Sequence, residues 1–273
     1  MKKSLSRNWC WVVVILWLSP VAISMAQVNT EAMRIEGLSP GFHFNLGGNI
    51  GYTDGNSSLF QNRSNLRLDY IHDWGQIFLV SNYRISTKDK LLFINKGFSH
   101  LRTVKSLRRS LYGEMFVQKE FNEFINLEDR QLVGGGLRIK WDEMEQVKLF
   151  SEHLRLATGI GLMWEREEID TGPDDTKGDP IHGALASLLR STNYMVLNWI
   201  PKESLAILTT AYFQVDTRRL SDYRILVRTT LKVALTKRLE LTIDMNLRHD
   251  SEPPGGVKAL DLDIANGFSY RFK

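Results

Sequence analysis

One cysteine occurs in 273 residues, Cys10, and it lies inside a short apolar stretch at the N-terminus. With that stretch removed the chain has no thiol, which excludes disulfide staples, a thiolate nucleophile and a cysteine metal site. Asn8 and Trp9 before it do not form a lipoprotein box. Long hydrophobic runs are also missing. Residues 11–18 are too few for a comfortable spanning helix, and no later run is long enough. There is no basic block to track a phosphate backbone. Without Lys2, Lys3 and Arg7 the 35 basic residues become 32 against 31 acidic ones, a net +1. The pI of about 9.1 is therefore no sign of nucleic acid, and no nucleic-acid partner is expected. His43, His72, His100, His153, His182 and His249 show no metal-ligand spacing, so no metal or cofactor is expected. Gly134-Gly135-Gly136 lacks the helix and lysine of a phosphate loop and reads as a strand bend or a close backbone approach.

What is present points to export. Lys2, Lys3 and Arg7, the apolar core and Ser24-Met25-Ala26 predict a signal peptide over residues 1–26, cut after Ala26, with the secretion translocon as a partner. Residues 27–40 are expected to form a periplasmic lead-in, and residues 41–273 one all-β domain. Near the C-terminus, Leu260, Leu262, Ile264, Phe268, Tyr270 and Phe272 share one parity, and Asp261, Asp263, Ala265, Gly267, Ser269 and Arg271 the other. A strand sends alternate side chains to opposite faces. In an exported chain, such a strand resembles the closing strand of a barrel with lipid outside and a polar lumen inside. A membrane protein without helices must close its sheet, because only helices and barrels satisfy every backbone group in lipid. The predicted fold is thus an all-β, closed, antiparallel up-and-down transmembrane barrel of roughly twelve strands.

The connections fit that topology. With a periplasmic N-terminus, short turns are expected at 73–75, 104–106, 142–146, 201–204 and 236–238, and longer loops at 88–92, 124–128, 170–183 and 250–256. Parity cannot be assigned over 93–103. Trp74, Trp141, Trp199, Tyr270 and Phe272 then fall at one rim and Trp164, with Tyr52 and Tyr223, at the other, as aromatic girdles at the surfaces of a lipid bilayer.

Several segments carry a family resemblance: NKGFSHLR (95–102), LEDRQLVGGGLR (127–138), SDYRILVRTTLKVALTK (221–237) and NLRHDSEPPGGVKALDL (246–262). Together they resemble the YdiY-like salt-induced outer-membrane proteins. The resemblance implies an outer-membrane β-barrel and no established activity. Gly51-Tyr52-Thr53-Asp54 departs from the Gly-Asn-Thr-Asp usual there. Gly267, Tyr270 and Phe272 resemble the signal read by the barrel-assembly machinery, although Lys273 follows the final aromatic and Ala265 precedes in place of a polar residue.

Lumen parity collects Arg63, Arg67, Glu114, Glu120, Arg130, Arg138, Arg155, Glu165, Glu167, Arg190, Arg224, Arg228, Glu240, Asp244, Arg248, Asp261 and Asp263. Charges of both signs either pair into a lattice that plugs the lumen or line a water-filled path. Arg224 and Arg228 are expected beside Glu240 and Asp244. The function this favours is a small channel or an envelope-integrity barrel, tied to osmotic stress through the resemblance. An outer-membrane enzyme of lipase or protease type is the alternative. Its only candidate cluster is His249-Asp250-Ser251-Glu252, which turn chemistry explains equally well. A soluble periplasmic sandwich is the third reading.

Overall fold

The computed structural model describes residues 31–35, 37–143, 153–170, 184–254 and 256–270. The signal peptide, His182, most of the polar connection at 170–183, and Phe272 with its girdle and assembly roles lie outside the described residues.

Twelve strands follow one another: β1 (Gly41–Thr53), β2 (Leu59–His72), β3 (Gly75–Lys88), β4 (Leu91–Arg108), β5 (Leu111–Asn122), β6 (Leu127–Lys140), β7 (Leu154–Ile169), β8 (Leu185–Lys202), β9 (Leu205–Asp216), β10 (Tyr223–Ala234), β11 (Leu239–Asp250) and β12 (Leu260–Tyr270). They make one sheet in chain order, each pairing antiparallel with the next. Tight turns fix the registers. Asp89 and Lys90, at φ 51° and 67°, join β3 to β4, a pair of positive φ values that suits the twist of a hairpin. Gly75 opens β3 at φ 149°, where a Cβ would lie 1.9 Å from the Val104 carbonyl oxygen. No other residue fits there.

The sheet curls. In a flat sheet β5 and β8 would stand roughly 14 Å apart, at three strand spacings. Here Tyr194 Oη of β8 donates to Glu114 Oε2 of β5 at 2.7 Å. Similarly, Arg224 of β10 reaches Glu165 of β7 at 2.5 Å. The end where β1 begins and β12 finishes is called proximal below, the opposite end distal. The ladder expected between β12 and β1 is not formed among the described residues, where these two strands are the sheet's edges. Side chains tie the concave face together from β2 to β11. The seam carries the small inward residues Gly47, Gly51, Ala265 and Gly267, and a Cβ on Gly267 would meet nothing within 4 Å.

Polarity is inverted relative to a water-soluble domain. On the convex face Ile50, Met115, Ile160 and Phe268 are exposed, Ile160 at 66%, whereas Glu165 and Arg190 on the concave face are 0% exposed. Burial of charge beneath an exposed apolar surface is the pattern a lipid-facing barrel requires.

Trp74, Trp141, Trp199 and Tyr270 stand at the proximal end, with Trp164, Tyr52 and Tyr223 toward the distal end. Trp141 Nε1 donates to Thr158 Oγ1 (2.9 Å) and Trp164 Nε1 to Ser187 Oγ (2.8 Å). β4 corrects the sequence reading: it runs through the turn expected at 104–106 and ends at Arg108. Phe93 and Leu107 are the extra residues of bulges against β3 and β5. Its inward face mixes Lys96, Phe98, His100, Arg102 and Val104, which is why alternation is illegible there.

Candidate functional site

The lumen holds two charge clusters. The distal one is built by register. Arg130 of β6 lies directly between Glu120 of β5 and Glu167 of β7. Its guanidinium reaches Glu120 at 2.6 Å, Glu167 at 2.7 Å and Glu165 at 3.1 Å. Arg190 of β8 donates to Glu165 at 2.5 Å and grips Asp222, in the loop before β10, with two bonds of 2.8 and 2.9 Å. Arg224 reaches Glu165 at 2.5 Å, Glu167 at 3.2 Å and its cross-strand partner Asp250 at 2.8 Å. Glu165 is thus the hub of three arginines, all almost fully buried. Charge-assisted, partly bidentate bonds of this kind satisfy both signs away from bulk solvent.

The proximal cluster is organised by the lead-in, which enters the lumen. A 3-10 turn, Glu31–Met33, precedes β1. The Glu31 carboxylate accepts from Arg34 (2.8 Å) and also from Arg102 of β4 and Arg138 of β6. Arg34 in turn reaches Glu114 at 2.6 Å, and Arg67 of β2 donates to the Met33 carbonyl. Met33 packs on Phe78, Val80 and Val104. Burial works to raise the Glu31 carboxyl, but Arg34, Arg102 and Arg138 outweigh it and hold it well below the ordinary carboxylate range. Burial likewise works against the Arg34 charge, and Glu31 and Glu114 more than offset it.

A polar thread runs from the distal cluster toward the proximal one and ends at His100. Glu120 accepts from Gln118 Nε2 at 2.8 Å, which turns the Gln118 oxygen toward His100 Nδ1 at 2.9 Å. The other ring nitrogen of His100 is buried without a partner, beside a cavity of about 30 Å³ whose lining includes Thr192, Tyr212 and Gln214. That is room for one water. Glycines make space for these side chains. A Cβ on Gly159 would lie 2.1 Å from the Tyr194 ring, and one on Gly136 2.3 Å from the Ile160 carbonyl oxygen, so the glycine run of β6 is a close backbone approach.

Of the residues singled out in the sequence, Arg138 joins the proximal cluster, and Arg190 and Arg224 the distal one. Arg228 lies 3.7 Å from Asp244, both about one-third exposed, and Thr230 donates to Asp244 at 2.5 Å. Glu240 is a correction. The β10–β11 register sets it opposite Ala234, far along the strand from Arg224 and Arg228. Arg248 lies 3.7 Å from Asp261, and Asp263 faces the lumen as a counter-charge to Lys96. The cluster at the last distal loop resolves into turn chemistry. The His249 ring packs on Tyr223, while Asp250 is buried on Arg224 and accepts from the Glu252 N–H; Ser251 Oγ accepts from the Tyr223 N–H. Glu31, Arg34, Asp222 and Tyr194 were not singled out. The opposite charges of Glu31 and Arg34, three residues apart just before the first strand, were the available signal.

Among solved structures, the NanC porin matches with 10% identity over 84% of this chain and 99% of that chain, at a TM-score of 0.42. No curated protein matches. The model of the family described as "Protein of unknown function, DUF481" matches residues 43–272, and the chain belongs to that family.

Proposed function

We propose that this protein is an outer-membrane β-barrel with a structural role in the envelope, its lumen narrowed by the distal lattice and held shut by the docked N-terminal segment. One observation carries the reading: a face rich in buried, largely paired charges lies beneath an apolar exterior, an arrangement that is stable with lipid outside and unstable in water. In this reading the bilayer is the protein's solvent, and the secretion translocon and barrel-assembly machinery are its partners during export. The test is SDS gel migration of residues 27–273 refolded in detergent, together with membrane fractionation of the expressed protein. Faster migration before boiling and recovery with outer membranes are expected. Heat-independent migration with recovery in the soluble periplasmic fraction would remove the proposal.

A gated channel is the second reading, and one feature favours it. Among the described residues, the proximal closure is a separate segment held by ion pairs and the apolar anchor Met33 rather than by strand pairing.

A further inference from the structure

The distal lumen carries a second set of charges with a different character. Arg63 of β2, Arg84 of β3 and Lys96 of β4 point inward in one row, directly opposite one another across three strands. Asn49 of β1 and Asn122 of β5 extend the row on either side. Like charges placed directly opposite destabilise a sheet. Lys96 has a counter-charge, Asp263 of β12. Arg63 and Arg84 have neither an ion pair nor a hydrogen bond among the described residues, although carboxylates crowd the other side of the same lumen. Two positions beyond Arg84 on the same face, the Ser86 hydroxyl is fully buried and has no hydrogen-bond partner. Arg63 is exposed, Arg84 half-buried and Lys96 buried, and Arg63 stands four residues in from the distal start of β2. On the proximal side it is bounded by the docked segment: Arg67, which holds Met33, lies four residues further along β2, about 13 Å away.

We infer that the Arg63–Arg84–Lys96 row is a binding site for a small organic anion entering from the distal end, its carboxylate or phosphate oxygens taken by the two free guanidiniums. Paired guanidiniums present planar donor forks that match either oxyanion, and the flanking asparagines and Ser86 offer hydrogen bonds to the rest of the solute. The inference rests on the barrel reading only for the route by which the solute arrives.

The experiment is isothermal titration of the refolded barrel in detergent micelles at low salt, after its heat-dependent gel migration has been verified. Glucuronate and glucose 6-phosphate are the probes, and glucose is the neutral control. At least one anion is expected to bind, more weakly as salt is added, and glucose is not. Binding of glucuronate alone assigns the carboxylate, and binding of glucose 6-phosphate alone the phosphate. The double variant Arg63→Gln, Arg84→Gln should bind at least about tenfold more weakly and keep its gel migration, with Arg228→Gln unchanged. Should the double variant not fold, the two single variants carry the same test. Silence with both anions, equal binding by the variants, or equal binding of glucose overturns the inference. A protein without heat-dependent migration fails the barrel reading instead.

Discussion

Two halves of the same lumen, at the same level of the barrel, handle buried charge in opposite ways. From β5 to β11, Arg130, Arg190 and Arg224 are enclosed by Glu120, Glu165, Glu167, Asp222 and Asp250 at salt-bridge distance, and all eight are buried. From β2 to β4, Arg63, Arg84 and Lys96 are stacked against one another, Arg63 exposed, Arg84 half-buried and Lys96 buried. The first arrangement is nearly self-sufficient: each of these eight charges has its partner, and among the described residues beside them only Arg248 of β11 keeps buried guanidinium nitrogens without a hydrogen bond, so it stiffens the wall and leaves little to recognise. The second retains repulsion that a glutamate at either arginine position would relieve. A sheet that builds a saturated lattice on one side has the means to saturate the other. The imbalance therefore marks where the lumen meets something outside itself.

Substitutions can break this contrast, and the largest effect is expected at its centre. Glu165→Gln leaves Arg130, Arg190 and Arg224 underpaired in a buried site and should destabilise the fold by about 3–5 kcal/mol, read as a lowered midpoint for guanidinium unfolding in micelles. Gly159→Ala forces the Tyr194 ring out of its place and away from Glu114. A loss of about 1–3 kcal/mol is expected by the same measurement. In the middle of β10, Arg228→Ala removes a pair that is one-third exposed, and should change stability by at most about 1 kcal/mol, less at high salt. Arg84→Gln gives the sharpest contrast despite its small size. Relief of the cross-strand repulsion should leave the midpoint unchanged or raise it, by about 0.2–1 kcal/mol. A clear loss there would mean that the row is paired like the lattice.

The docked segment adds a pH dependence. Its carboxylate is depressed on docking, so the contribution of Glu31 is fully present above the undocked value, about 4.3. It is lost only as pH falls below that toward the docked value. Limited proteolysis with an acid-stable protease should find residues 31–35 protected at pH 5 and increasingly cleaved toward pH 2. In Glu31→Gln they should be cleaved at both.

Much of the architecture was legible in the sequence because a period of two survives wherever one face meets lipid. Twelve segments, their order and the inward parity of Arg138, Arg190 and Arg224 follow from alternation alone. β4 hid its parity because its inward face is part charge and part core under Met33, and because Phe93 and Leu107 each add a residue that reverses the alternation. Which charges meet was not legible. Arg224 with Asp250 follows from one hairpin register, but Arg224 with Glu165 joins strands three apart, and that contact depends on how tightly the sheet curls. Glu240 was misplaced because its register depends on the turn at residues 235–238. The role of Glu31 was hidden most completely, since its partners come from β4 and β6, far along the chain.

The central claim, a lumen shut in its folded state, is tested most directly by single-channel recording across a planar bilayer with heat-modifiable residues 27–273. The account predicts no unitary steps from the native chain. It predicts anion-favouring steps once Glu31→Gln and Arg34→Gln release the segment and open the path along Arg63, Arg84 and Lys96. Steady steps from the native chain, unchanged by those substitutions, would contradict it.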